Sequence, residues 1–498
     1  MARVGVLSRR PALGGAILLC LLSSLFLSSS RPAPASPRCG TSLQAQILAA
    51  APGSTLLTPA CVYRETLIIT KPITLIGQPG SEIRGSDVWS GWTRRGSYWI
   101  KGPLPPFFQD RWPCEPGSTG RCRWPEQVFL DGQPLTQVAA SPASGQFSVD
   151  GNRWILLADN PSGRQVEVTT RQYWVLGRAG DVTIRGFRMR YAANPAQQGA
   201  LSNGGYGNWT VERNVLSDAH GAVVSLDGAS GLRLLNNDIS RGGEEGVHGA
   251  LDTGLLVQGN RVHNNNTEQF DPGWEAGGLK LTGNVRPAIS ANSVYSNDGT
   301  GIWCDAGCSG AVISNNRVYD NSREGISYEV SHDGTIAGNA VWTNGGDRAV
   351  WGFGAGILCQ NCDHTEIIRN TLAWNANGIT VISQDRSDSR PVAANMVHDN
   401  TVVESTAGSI ALGWFQDWAG PLYDQAADNR GSGNGFWYPS PEGQDARFEW
   451  TGDITLLADF SGTRGGANSW YLTSARATWA LSQAGIPTTF GGTMPRAK

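Results

Sequence analysis

Apolar and polar residues alternate in short runs through the middle of the chain: Leu279-Lys280-Leu281, Ile302-Trp303-Cys304-Asp305, Ile326-Ser327-Tyr328-Glu329 and Ile357-Leu358-Cys359-Gln360. Period-two alternation over so few residues predicts strands with one aliphatic face and one mixed face. A Gly opens most of these runs (Gly221, Gly246, Gly278, Gly301, Gly325, Gly356, Gly378). Beside them an Asn recurs: Asn214, Asn237, Asn260, Asn292, Asn316, Asn339, Asn370 and Asn400, at gaps of 23, 23, 32, 24, 23, 31 and 30 residues. A unit of that size cannot bury its apolar face alone, so successive units must stack. The pattern predicts an all-β chain, a right-handed parallel β-helix over about residues 179–430, with the hand taken from the preference of parallel crossovers. Asn side chains at equivalent corners are expected to hydrogen-bond to one another along the axis as a ladder.

Outside the repeats the pattern changes. The chain opens with Arg3, Arg9 and Arg10, an apolar segment from Ala16 to Leu27, and Ala33-Pro34-Ala35 before Ser36, the order of a secretory signal peptide over residues 1–35. The apolar segment is shorter than the ~20 residues of a membrane span. A secreted, extracellular protein without a membrane partner is therefore expected. Residues 36–87 read as an N-terminal cap and the first strands, with a short helix at residues 42–51 laying its apolar face on the first coil. From about Val88 to residue 178 the repeat lapses into Trp-, Pro- and Gly-containing sequence, where Asp131-Gly132 and Asp150-Gly151 are hairpin turn signals; a small inserted β module is expected there. Residues 431–498 read as a C-terminal extension whose helix starts at Thr473 or Ser474 and stops at Gly485 and Pro487.

Composition narrows the function classes. Net charge is -3, with no basic block and Lys only at positions 71, 101, 280 and 498, which argues against nucleic acid or an anionic membrane as partner. Eight cysteines remain after signal removal and pair by proximity as Cys39/Cys61, Cys114/Cys122, Cys304/Cys308 and Cys359/Cys362. A metal site from the last four is disfavoured because their turns are not neighbours in the stack.

Aligning the runs on their Gly starts puts Lys280, Trp303, Ser327, Leu358 and Thr380 in one outward column and Thr282, Asp305, Glu329, Gln360 and Ile382 in the next. Asp305 and Glu329 then face outward on adjacent coils, ~4.8 Å apart along the axis. Two carboxylates at that spacing repel by roughly 3 kcal/mol at an effective dielectric near 20, which favours one protonated and one ionised group. That division is what a retaining glycosidase needs of its nucleophile and acid/base, whose carboxyls lie ~5–5.5 Å apart. A solvated acidic surface and a Ca²⁺ site are the alternatives open at this point. Trp303 offers an apolar face to a sugar ring. The long connection after Asn260, carrying Asp271, Trp274 and Glu275, is expected to overhang the same face.

The stretch Thr300-Gly301-Ile302-Trp303-Cys304-Asp305, followed by Tyr328-Glu329-Val330-Ser331-His332, resembles the active-site pair of glycoside hydrolase family 120, the β-xylosidase type, on a pectin-lyase-like solenoid. The resemblance implies Asp305 as nucleophile and Glu329 as acid/base. Trp303, Lys280, Glu275, His332, Ser327 and Trp274 are the expected substrate-binding residues. No metal or other cofactor is expected for a glycoside hydrolase acting on a poly- or oligosaccharide. A polysaccharide lyase or epimerase, with Lys280 or Arg323 as base or charge neutraliser and Ca²⁺ as cofactor, is the second reading. A non-catalytic glycan-binding or surface protein is the third.

Overall fold

The computed structural model describes residues 39–346, 350–386, 390–404, 409–441 and 443–489. The signal-peptide reading lies outside these residues. Three long sheets of 12, 13 and 13 strands run side by side along the chain, and almost every pairing in them is parallel. Each coil contributes one short strand to each sheet, so the fold is a parallel β-helix. The core is the column of inward aliphatics, with Leu279, Ile302, Ile326, Ile357 and Ile379 all buried and stacked in register.

Two ladders of Asn hold the corners. From Asn214 to Asn434 each Nδ2 donates to the next Oδ1 at 2.9–3.1 Å, through Asn237, Asn260, Asn292, Asn316, Asn339, Asn370 and Asn400. The same Oδ1 also accepts the backbone N–H of the preceding Asn, as at Asn292 to Asn316 (3.0 Å). A second ladder, which sequence reading missed, runs Asn265, Asn297, Asn321, Asn344 and Asn375 at 2.8–2.9 Å. It explains five of the seven strand-opening glycines, while Gly221 and Gly378 lie against the Pro195 and Ala411 carbonyls. A Cβ on Gly301 would stand 2.8 Å from Asn321 Nδ2 and 2.6 Å from the Gly325 carbonyl oxygen. Gly246, Gly278, Gly325 and Gly356 face Asn265, Asn297, Asn344 and Asn375 in the same way.

The N-terminal helix, Leu43–Ala49, seats Leu43 and Ile47 on the first coil. Ser42 caps it by accepting the Ala45 N–H, and Glu65 of the coil accepts the N–H groups of Leu43 (2.9 Å) and Gln44 (3.0 Å). The inserted segment forms two small sheets, mostly antiparallel, between Ser86–Trp89 and Val166–Thr169; Asp131 and Gly132, both with positive φ, turn one hairpin. The solenoid resumes at Val175–Gly177, which pairs with Leu67–Ile69, so the insertion leaves and re-enters between neighbouring coils. Parallel pairing also continues past residue 430: Gly435–Trp437 pairs with Thr401–Val403 and then with Trp470–Tyr471. These last coils lack the Gly-aliphatic starts that marked the others. The C-terminal helix, Ser474–Ala484, is capped by Thr473 and Gly485 and packs Ala477 and Leu481 against Trp342, Trp374 and Val403.

Three disulfides form, Cys39–Cys61, Cys114–Cys122 and Cys359–Cys362. The expected fourth does not. Cys304 and Cys308 are buried thiols hydrogen-bonded to each other, with Cys308 Sγ also donating to the Leu281 carbonyl at 3.4 Å. The four-cysteine metal reading falls too, because Cys359 and Cys362 are consumed in a disulfide.

Candidate active site

Strand register builds the site. Lys280 pairs with Trp303 and Thr282 with Asp305; Trp303 pairs with Ser327; Glu329 pairs with Gln360. Inward Leu281, Cys304, Tyr328 and Cys359 are buried, so the residues alternating with them face out. Asp305 and Glu329 thus project side by side from adjacent coils, with 18% and 14% of their side chains exposed. Burial, then the charge of Asp305, raises the Glu329 pKa above the ordinary carboxylate value, against the pull of Arg386 and Lys280.

Each carboxyl has its own partners. Lys280 Nζ lies 3.0 Å from Asp305 Oδ2, 2.9 Å from Glu275 Oε2 and 2.7 Å from the Trp274 carbonyl oxygen, which engages all three of its donors. Glu329 accepts the Trp303 indole N–H at 3.1 Å and pairs with Arg386. Asp305 Oδ1 accepts the Ala306 N–H at 2.6 Å.

The loop after Asn260 delivers Trp274 and Glu275 to this face. A strap from the inserted segment lies along it: Asp271 N–H donates to the Pro113 carbonyl, Glu115 N–H to the Gln269 carbonyl, and Trp112 stacks on Trp274 with centroids 4.6 Å apart. Trp112 is 42% exposed, so the stack forms an aromatic wall open to solvent. Beneath it His220 is fully buried between Glu268, to which Nδ1 hydrogen-bonds, and Asp110, whose Oδ2 is 3.6 Å from Nε2.

The expected site residues separate into two groups. Asp305, Glu329, Lys280, Glu275, Trp274 and Trp303 converge. Trp303 does so in a different capacity from the open sugar platform expected of it: it is 7% exposed, one ring face carries Lys280 Nζ at 3.7 Å, and its N–H orients Glu329. Ser327 is buried in the column beside Trp303. His332 lies apart from the pair. Its Nδ1 bonds Asp333 at 2.8 Å, and it lines a neighbouring cleft of about 330 Å³ with Gly307, Val330, Asn361, Asp363 and Arg390. The cause is backbone direction, since the chain turns away from the strand after Glu329 and Val330 takes positive φ.

Sequence reading missed Arg386, Trp112, His248 and Glu245. His248 pairs with Lys280 in register, one coil earlier, so its column position was readable. Arg386 and Trp112 arrive from loops and left no periodic signal. Among the described residues, Glu245, His248 and Glu275 bring donor atoms within 4.8 Å of one another and so could hold a metal ion. The Lys280 ammonium, 2.9 Å from Glu275, opposes a cation there, and the trio is better described as an ion-pair cluster.

The family described as "Right handed beta helix region" matches residues 198–355. No curated protein sequence matches the chain. Among solved structures, the chain is similar to XylC in complex with xylose, at 15% identity over 83% of each chain and a TM-score of 0.60. It is also similar to a glycoside hydrolase, at 10% identity over 86% of this chain and 92% of that one (TM-score 0.42). At these identities the first likeness is one of fold: the solenoid is a right-handed parallel β-helix. No helix among the described residues is long and apolar enough to cross a membrane.

Proposed function

We propose that the chain is a secreted, retaining glycoside hydrolase. The observation that carries this reading is the asymmetry of the outward pair: Asp305 is held beside an ammonium at 3.0 Å, while the Glu329 pKa is raised by burial and by the neighbouring charge. The ammonium beside Asp305 offsets negative charge at that carboxyl, and the raised Glu329 is suited to carry a proton. In the first step a carboxylate oxygen of Asp305 attacks the anomeric carbon and forms an ester bond. The bond to the leaving oxygen breaks as that oxygen takes the proton of Glu329. In the second step Glu329 accepts a proton from water, whose oxygen bonds the anomeric carbon as Asp305 departs as carboxylate. Lys280, its three donors engaged by Asp305, Glu275 and the Trp274 carbonyl, fixes the nucleophile, and the Trp112–Trp274 wall offers a face for sugar stacking. The three disulfides support an oxidising compartment and hence secretion.

The lyase or epimerase reading is the weaker one. A proton-abstracting Lys must lose its own proton, and the Lys280 pKa is raised: burial alone would lower it, but Glu275 and then Asp305 outweigh burial.

The test is a screen on aryl glycosides, beginning with xylosides because XylC holds xylose, and on uronate polymers, each with and without EDTA. Metal-independent release of aglycone is expected; an unsaturated uronate product would favour the lyase, and no turnover a binding protein. Asp305→Asn should fall to background on every glycoside. Glu329→Gln should lose about 10²–10⁴-fold on poor leaving groups. It should keep the first step on activated ones, accumulate glycosyl-enzyme and respond to azide. Full activity in either variant would remove the pair from the mechanism.

A further inference from the structure

Lys280 is the partner that orients Asp305, and Lys280 is itself held from the far side. Glu275 Oε2 contacts its ammonium at 2.9 Å, while Glu275 Oε1 faces His248 Nδ1 at 3.4 Å. His248 Nδ1 is also 2.9 Å from Glu245 Oε1 on its own strand. His248 and Lys280 occupy the same outward column on successive coils, and all four side chains are buried. We propose that His248 is a positioning residue for Asp305, acting through Glu275 and Lys280 at the end of a line of alternating charges. The inference rests on Asp305 being the nucleophile.

The order of charges gives the line its direction. The groups facing His248 are Asp227 of the preceding coil, Glu244 and Glu245 of its own segment, Asp252, Glu275 of the overhanging loop and Lys280 of the next coil. Acids dominate that set, but burial raises Asp227, Glu244, Glu245 and Asp252, the last two to about 7, and Glu275 alone among them is lowered. Burial alone would lower the His248 pKa, but Glu245, then Glu275 and Asp227, raise it well above the ordinary value, which favours the charged ring. Glu275 is then shared between two cations, and its own pKa is lowered: burial opposes, but His248 and Lys280 prevail. Remove the imidazolium and Glu275 has Lys280 alone. The ammonium moves toward Glu275 and away from Asp305, whose anion is less stabilised. No metal is required in this line.

The test is a double-mutant cycle with His248→Gln, Glu275→Gln and both together, reading kcat and kcat/KM against pH on an activated aryl glycoside, with Tm as the folding control. His248→Gln should lower kcat on the order of 10-fold, as expected when a reacting group is displaced by a fraction of an ångström to 1 Å. It should move the acid limb of kcat/KM to higher pH. In the Glu275→Gln background it should add no further loss. Additive losses, or a His248→Gln variant with unchanged kcat and acid limb, would overturn the relay. So would a stoichiometric divalent ion in purified wild type that His248→Gln loses. If the wild type turns over no glycoside, the hydrolase reading fails and the relay is judged separately. The ¹⁵N imidazole signal of His248, one of six histidines, should report imidazolium at pH 7.5 in wild type and shift toward the neutral form in Glu275→Gln. An unchanged signal would overturn it.

Discussion

Single side chains here are understood through their charge neighbours. His220 has no solvent contact and sits between Glu268 and Asp110, with the Phe108 and Phe270 rings against it. Burial alone would lower its pKa, yet Glu268 and Asp110 raise it to about 9. A histidine raised in the folded state contributes stability that is complete below its unfolded value near 6.5 and is lost as pH rises through about 9. The contribution is on the order of 3 kcal/mol at low pH. Thermal unfolding at pH 6 and pH 9.5 should therefore show a larger loss of Tm for wild type than for His220→Gln. Equal losses in the two proteins would exclude the ion-pair account. At this scale the sequence was legible where a residue sits on a strand: Asp305, Glu329 and Lys280 followed from register alone. Arg386 was not, because it reaches Glu329 from a position 57 residues later in a loop, where no period fixes direction.

At the scale of the repeat, side-chain amides and missing Cβ atoms form one device. Asn316 donates to Asn339 Oδ1 (3.0 Å) and to the Ile289 carbonyl (2.9 Å), while its own Oδ1 accepts from Asn292 twice. Asn316→Ala leaves buried donors on Asn292 and a buried carbonyl unpaired, at about 1–3 kcal/mol for each orphaned group. Its urea midpoint should fall well below that of wild type, and Asn434→Ala, which orphans both donors of Asn400 and the Val397 carbonyl in the same way, should fall with it; an unchanged midpoint in Asn316→Ala would show that the rung carries no special cost. Gly301→Ala should be at least as damaging, because backbone oxygen and ladder nitrogen both stand under 3 Å from the added carbon. The first ladder was visible as a period. The second was equally present as Asn-x4-Asn, in Asn260/Asn265, Asn292/Asn297, Asn316/Asn321, Asn339/Asn344 and Asn370/Asn375, yet the glycines were read as strand openers only. Their real partner is five residues beyond the first ladder, across the coil corner, a distance that no local conformational rule reports.

Across the whole molecule, the alternation announced the solenoid because each coil repeats the same inward pattern, whereas the wall of the site was hidden. Trp112 meets Trp274 only because the inserted segment folds back over coils that follow it by more than a hundred residues, and antiparallel turn signals do not say where a module docks. The repeat also has a consequence for reaction stereochemistry. Carboxyls raised on a stack of strands can be separated only in steps of one rung, ~4.8 Å. One step matches the ~5–5.5 Å of retaining enzymes, and two steps, ~9.6 Å, reach the far edge of the ~6.5–9.5 Å used by inverting ones. Gln360 occupies the next rung after Glu329. Exchanging the two, Glu329→Gln with Gln360→Glu, should leave a slow enzyme whose first-formed sugar, followed by NMR, has the opposite anomeric configuration; retention at the anomeric carbon would show that side-chain reach, rather than rung number, sets the outcome. In such a scaffold the choice between two stereochemical courses becomes a counting variable, set by which coil carries the acid.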